Sequence, residues 1–352
     1  RAPRPEPPAS PQRAGRSCYS HLAMALGWRL LPSLAAAAAA GTGPPYALLP
    51  GELSPAATFK LLDGRDMPIF GLGVYLAKQG GETYTAVKWA LEAGYRLIDT
   101  AEVYRNEADV GRAVRDSGIP REELFVTSKL MPKMHGYDAA LEAGRLSNAD
   151  LGLGYMDLFL VHAPLGGKLI ETWDALLQLQ REGITKSIGV SNYNVLHIEA
   201  LRNHGRPLPV VNQFEMHPLV YRGRQPLLDY CKEHGILVQA YGSVFFGRQE
   251  KLSDTVVAEV TAAHPGKTPA QILLRWAVQM GFQVIPKSVR QHRIEENMQI
   301  FDFSLSEEEM ARLSSLDGEE GTASALGYWS PLDAAVDLGR IDLVMPQQRS
   351  DL

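Results

Sequence analysis

The chain is expected to fold as an α/β protein, a (β/α)8 barrel of the TIM-barrel type with an N-terminal β-hairpin plug. Three observations point there. Eight short apolar runs recur along the sequence, stretches of helical period separate them, and polar residues collect at or just past the ends of the runs. Such alternation calls for parallel strands joined by helical crossovers, and a closed parallel sheet carries its chemistry at the C-terminal mouth. The length of 352 residues suffices for one large barrel with a buried core. A content of 45% hydrophobic and 21% charged residues is that of a soluble globular protein, and the net charge of -5 gives no reason to expect nucleic acid.

Residues 1–57 differ in composition from the rest. They run RAPRPEPPASPQRAGR, then an apolar stretch ending in Ala35 to Ala40, then GTGPP. No packed-domain pattern is present, so this low-complexity leader is expected to be disordered or weakly helical. Five arginines against Glu6 and Glu52 give it a charge of +3, which leaves two readings open, a targeting peptide or an unprocessed or misassigned leader. Leu22 to Ala40 imitates a membrane span, but Arg29 and Pro32 interrupt it, so no membrane partner is expected. Two cysteines, Cys18 and Cys231, cannot form a disulfide framework and suit a reducing compartment; the expected location is cytoplasmic, with organellar targeting by the leader as the alternative.

Regular patterning begins at Thr58. TFKLLDGRDMPIFGLG reads as two short strands around Asp63-Gly64, a hairpin able to plug one end of a barrel. The eight strand candidates then follow as GLGVY, YRLIDTA, LFVTSKL, MDLFLVHA, TKSIGVSN, PVVNQFEM, ILVQAYGS and FQVIPKS. Between them lie TYTAVKWALEAG, EADVGRAVRDSG, IETWDALLQLQREG, YNVLHIEALRNHG, QPLLDYCKEHG and TPAQILLRWAVQMG, several closing on the glycine expected just past a helix. The barrel is drawn over 58–318 and a C-terminal tail over 319–352. A doubly wound sheet competes, but Gly71-Leu72-Gly73 lacks the third glycine of a dinucleotide-binding turn. A barrel of this kind buries its own core, so a monomer is the default.

The motifs GLG, GYRLIDTAEVYRNE, LFVTSKL, DLFLVHAP, IGVSNY, VNQFEMHP and IPKSVRQHRIEEN, in that order over about 270 residues, resemble those of the aldo-keto reductases, a barrel size usual for the fold. The resemblance lies nearest the 2,5-diketogluconate reductase and prostaglandin F synthase-like branch. It implies a barrel enzyme that uses NADPH/NADP without a Rossmann fold and reduces a small-molecule carbonyl compound.

The chemistry can be argued apart from the resemblance. Reducing a carbonyl needs a hydride at carbon and a proton at oxygen, so an acid must stand beside the developing alkoxide. Tyr104 is the candidate acid. A neighbouring ammonium favours phenolate, so Lys129 is expected to lower the Tyr104 pKa from its usual value near 10. Asp99 would neutralise and fix Lys129, and His162 could orient the carbonyl. Taken singly, the histidine reads as a structural residue and the Asp-Lys pair as an ordinary ion pair. By resemblance, Asp99, Tyr104, Lys129 and His162 form the catalytic tetrad.

IPKSVRQHRIEEN lies at the end of the eighth strand candidate, where barrels commonly bind phosphate at a helix N-terminus. Lys287 and Ser288 would contact the 2′-phosphate, and Arg293 would pair with it and stack on adenine. Otherwise the stretch is a solvated charged helix face. Resemblance implies adenine-edge contacts for Glu296 and Asn297, nicotinamide-end roles for Ser191, Asn192, Gln213 and Tyr241, and a cofactor contact for Ser243. Structurally, Ser191-Asn192 could instead cap the next helix and Tyr241 could be core.

Relatives often carry Trp where this chain has Tyr75, Met131 and Ala163, which implies a roomier substrate pocket. Met134 and His135 are further wall candidates. In relatives the tail folds over the mouth, which would bring Tyr328 and Trp329 to the substrate; the alternative is a tail docked on the outer helices. No metal site is expected, because the histidines and Cys231 lack ligand spacing, and no Gly-x-Ser-x-Gly elbow marks a hydrolase. Two other functions stay open: a non-enzymatic NADPH-binding barrel acting as sensor or regulatory subunit, and a dehydrogenase working mainly in oxidation.

Overall fold

The computed structural model describes residues 53–316, Leu332 and residues 334–339. Strands β1 (Thr58–Lys60) and β2 (Asp66–Pro68) pair antiparallel with Phe59 opposite Met67, both fully buried. Asp63 in their turn accepts a 2.6 Å hydrogen bond from Ser187 Oγ, which ties this hairpin to a barrel strand.

Eight parallel strands follow, each leading to a helix. They are β3 (Leu72–Gly73), α1 (Glu82–Glu92), β4 (Leu97–Asp99), α2 (Glu107–Asp116), β5 (Phe125–Leu130), α3 (Tyr137–Leu151), β6 (Met156–Val161), α4 (Leu169–Arg181), β7 (Thr185–Ser191) and α5 (Val195–Asn203). Next come β8 (Val211–Glu215), the short α6 (Pro218–Tyr221), α7 (Gln225–Glu233), β9 (Leu237–Tyr241), the short α8 (Gln249–Leu252), α9 (Thr255–Ala262), α10 (Pro269–Gln279), β10 (Gln283–Val284), α11 (Gln291–Met298) and α12 (Glu307–Ser314). The sheet runs in sequence order from β3 to β10 and closes on itself through the parallel bridges Phe70–Val284 and Gly73–Lys287. A Cβ on Gly73 would stand 2.8 Å from the Ile285 carbonyl oxygen, so the closing seam requires glycine there.

Local chemistry explains the boundaries. The six glycines that close the helical patterns, Gly94, Gly118, Gly183, Gly205, Gly235 and Gly281, all have φ between 67 and 96°, the left-handed conformation that ends a helix cheaply only in glycine. Helices α5, α10 and α12 open on capping boxes, Asn194 with His197, Thr268 with Gln271 and Ser306 with Glu309. Helix α3 was not among the patterned stretches. Its buried stripe is Ala140, Leu141, Ala143, Gly144, Ser147 and Leu151, mostly small residues that give little periodic signal, with Gly144 close against Leu179 and Phe159.

The described part of the tail docks on the outer helices at the mouth end. Backbone carbonyls of Asp337 and Leu338 accept from the Leu169 and Ile170 N–H groups at the start of α4, at 2.9 and 3.1 Å. Those of Leu332 and Ala334 accept from Asn194 Nδ2 and His197 Nε2 at the start of α5. The tail thus satisfies helix N-terminal donors. Tyr328 and Trp329 lie outside the described residues, as does the leader. Among the described residues no helix is long and apolar enough to cross a membrane.

Candidate active site

The C-terminal ends of the strands surround a cavity of about 930 Å³. Asp99 is the last residue of β4. The chain then makes one 3-10 turn, Glu102–Tyr104, which presents Tyr104 to the same cavity. That loop is fixed by Asn106, fully buried, whose Oδ1 accepts from Thr100 Oγ1 at 2.7 Å while its Nδ2 faces Val74 O, Ala77 O and Thr83 Oγ1 at 3.1 to 3.2 Å. Every polar atom of the Asn106 side chain is therefore satisfied, which makes the loop that carries Tyr104 rigid. Sequence reading missed this residue, because nothing local marks an Asn as buried.

Lys129, in β5, has no solvent exposure. Its Nζ donates to Asp99 Oδ1 at 2.6 Å and to the Thr100 carbonyl at 2.8 Å, and lies 5.1 Å from the centre of the Tyr104 ring. His162, one residue past β6, meets the Tyr104 ring edge-on at 5.8 Å, and Tyr75 packs on its other side at 5.0 Å. Asp99, Lys129 and His162, from three consecutive strand ends, thus gather around Tyr104.

Burial governs the protonation states. It pushes the Tyr104 phenol well above the ordinary tyrosine range, and Asp99 and two neighbouring tyrosines, Tyr241 and Tyr75, add to the rise. Any lowering by Lys129 is outweighed, because the phenol is buried and Asp99 stands beside the ammonium. Tyr104 accordingly holds its proton throughout the neutral range. Burial, then the Lys129 charge, takes His162 down to about 3, so the imidazole is neutral. Burial also depresses Lys129 and raises Asp99, and in each the attraction of the partner opposes the shift.

A second set of residues follows the mouth from β7 to β10. Ser191 Oγ donates to the Gln213 carbonyl at 2.8 Å; Asn192 Nδ2 donates to Ser191 Oγ and to the His162 carbonyl; Asn192 Oδ1 accepts from the Tyr241 hydroxyl at 2.8 Å. Neither Ser191 nor Asn192 caps α5, which Asn194 caps instead. Asn192, Gln213, Tyr241 and Ser243 line the cavity, whereas Ser191 is buried behind them.

At the far end of the same cavity lie Lys287, Ser288, Arg293, Glu296 and Asn297, joined by Arg290. Lys287, Arg290 and Arg293 are exposed, with no side-chain partner among the described residues, and α11 begins without a side-chain cap. Unpaired cations at an uncapped helix N-terminus are suited to a phosphate. Glu296 accepts a 2.8 Å hydrogen bond from Thr268 Oγ1, and Asn297 is buried. Arg290 was not singled out in the sequence, although it stands inside the same motif.

The expected substrate wall is only partly there. Tyr75 lines the cavity, but Met131 and Ala163 do not: Ala163 is fully buried, and Met131 opens the turn Pro132–Met134 with only Pro132 of that stretch reaching the cavity. Tyr75, Leu76, Val103 and Pro132 supply apolar wall instead. Positions marked by aromatic residues in relatives do not report which neighbours replace them here. His135 is buried with Nδ1 on the Gly167 carbonyl, and Trp329 lies outside the described residues. Among the described residues no group of three or more His, Cys, Asp or Glu is placed to hold a metal.

Residues 71–318 match the family model described as Aldo/keto reductase family. The chain is 43% identical over 263 residues to a glyoxal reductase of Bacillus subtilis, covering 75% of this chain and 94% of that one. It is 43% identical over 255 residues to a 9,11-endoperoxide prostaglandin H2 reductase of Trypanosoma cruzi, covering 72% and 89%. Among solved structures, a Bombyx mori aldo-keto reductase in complex with NADP superposes with a TM-score of 0.72 at 33% identity, over 82% of this chain and all of that one. The match takes in all eight barrel strands and the site at their mouth, and the chain belongs to the aldo/keto reductase family.

Proposed function

We propose that the protein reduces aldehydes or ketones to alcohols with NADPH, using Tyr104 as the acid. What carries this reading is one cavity with a proton-holding phenol beside a buried ammonium at one end and, at the other, three cations with no side-chain partner among the described residues. The donor set fits the cofactor, and NADP(H) is the cofactor the family uses. Lys287, Arg290 and Arg293 would hold phosphate, Ser288 and the α11 N–H groups would add hydrogen bonds, and Gln213 Oε1, which accepts nothing from the described residues, would serve the nicotinamide end with Asn192 and Tyr241. When bound, NADPH supplies the hydride.

The chain's own residues do the rest. Neutral His162 orients the carbonyl oxygen toward Tyr104, whose hydroxyl gives up its proton as negative charge develops there. The phenolate left behind lies beside Lys129, whose charge stabilises it, and Asp99 keeps that ammonium in place. The apolar wall of Tyr75, Leu76, Val103 and Pro132 favours a carbonyl compound with an apolar substituent, and the open rim admits bulk.

The test is the loss of nicotinamide absorbance from NADPH on adding aldehydes of increasing bulk. Carbonyl-dependent oxidation is expected across the series. Binding of NADPH with no turnover of any carbonyl would favour a non-enzymatic barrel, and a sharp preference for the smallest aldehyde would contradict the open pocket. Arg293→Ala is expected to weaken NADPH binding by about tenfold or more, the scale of one lost charge-assisted hydrogen bond, and NADH binding distinctly less, since only the adenine contact is lost there. Titrations with both cofactors check it; equal losses for the two would remove Arg293 from the 2′-phosphate.

A further inference from the structure

Gln213 does more than line the cavity. Its Nε2 lies 2.8 Å from Asp99 Oδ2 and 2.6 Å from Gln239 Oε1, so both amide hydrogens are committed to protein acceptors. The other Asp99 oxygen takes the Lys129 ammonium. Gln213, Gln239, Asp99 and Lys129 are all buried, and Gln213 and Gln239 stand opposite each other in the β8–β9 register, with Gln283 opposite Gln239 on β10.

Hydrogen-bond logic fixes which way the Gln213 amide faces. A carboxylate paired with Lys129 is acceptor-only, so the atom facing Asp99 Oδ2 has to be the donor Nε2. Gln239 must then present its oxygen to Gln213. Its own Nε2 is left with no partner among the described residues, and so is Gln283 Oε1 beside it. A buried amide donor is rarely left unpaired, and here the loss accompanies an orientation that frees Gln213 Oε1 for the cavity.

We propose that Gln239 is a positioning residue for the cofactor: by accepting from Gln213 Nε2 it locks the Gln213 amide so that Oε1 can receive the carboxamide N–H of nicotinamide while Nε2 stays on Asp99. This rests on the NADPH reading above. Gln239 touches no cofactor atom and acts through Gln213.

The test measures the affinity of the full-length protein, and of Gln239→Met and Gln239→Glu, for NADP and for its 3-acetylpyridine analogue, which lacks the carboxamide N–H. Gln239→Met removes the acceptor at similar volume and is expected to weaken NADP binding about fivefold to tenfold, the scale of one hydrogen bond, with less than about a twofold effect on the analogue. Gln239→Glu keeps an acceptor oxygen and is expected to restore the NADP preference at the acid end of the pH range, where a buried carboxyl is neutral. Equal losses for NADP and the analogue would assign Gln239 a packing role only and overturn the proposal, as would unchanged NADP binding in Gln239→Met. A wild-type protein that binds neither cofactor would overturn the NADPH reading and this proposal together. Wild-type binding with no carboxamide preference would overturn the positioning role alone.

Discussion

Tyr104→Phe is expected to lower carbonyl reduction about a thousandfold while NADPH binds as before, the range lost when a positioned general acid is removed. The geometry makes this substitution clean. The Tyr104 ring is held between Tyr75 at 5.0 Å and His162 at 5.8 Å, and phenylalanine keeps both contacts. Only the hydroxyl goes, and Lys129 is not free to replace it, because it is engaged with Asp99 and Thr100. Single-turnover oxidation of bound NADPH, compared with cofactor titration of the same preparation, separates chemistry from binding. Retention of more than about a tenth of wild-type turnover would mean that another group, or water, delivers the proton.

Lys129→Met should show the second-largest effect, on two axes. The Lys129 ammonium lies 5.1 Å from the centre of the Tyr104 ring; a charge pair separated by about that much, at an effective dielectric near 20, is worth about 3 kcal/mol, or roughly a hundredfold in rate, part of which Asp99 cancels. Turnover is therefore expected to fall by about ten- to a hundredfold. Stability should fall too, because Asp99 would keep a buried carboxylate with only Gln213 to answer it. Breaking a buried pair on one side costs about 3–5 kcal/mol, a drop of about 10 °C in Tm for a domain of this size. The double variant Asp99→Asn/Lys129→Met removes both charges and is expected to recover much of the melting temperature but none of the turnover. Thermal melts and kinetics on the two variants decide this; recovered activity in the double variant would show that the ammonium has no part in the chemistry.

The strands were legible because both of their faces are covered. LFVTSKL and MDLFLVHA are nearly continuous apolar runs, and the few polar positions in them, such as Lys129, stand out against that background. Helix ends were legible through glycines whose positive φ the structure bears out, such as Gly94 and Gly183. Helix α3 was not, since a stripe of Ala, Gly and Ser packs well without looking hydrophobic. At the site, residue types and order could be read, but electrostatics could not. The pairing of Asp99 with Lys129 was legible, but that burial would raise the Tyr104 pKa despite the ammonium was not, because a sequence does not display burial. The same holds for Asn106 and Gln239, whose partners lie on other strands and loops. Met131 and Ala163 are not among the residues lining the cavity, and which side of a βα loop faces the space is not something residue type alone displays.

The most direct measurement is the pH dependence of kcat/KM for aldehyde reduction by NADPH. Reduction needs the Tyr104 proton, which burial holds well above the ordinary tyrosine range, and His162, taken down to about 3, has no ionisation to contribute near neutrality. Activity is expected to stay level between about pH 5 and 8, where an unperturbed histidine would titrate, and to fall only in alkaline solution as the phenol is lost. A fall centred near the histidine value of about 6.5, or no aldehyde-dependent oxidation of NADPH at any pH, would contradict the assignment of Tyr104 as the acid of a carbonyl reductase.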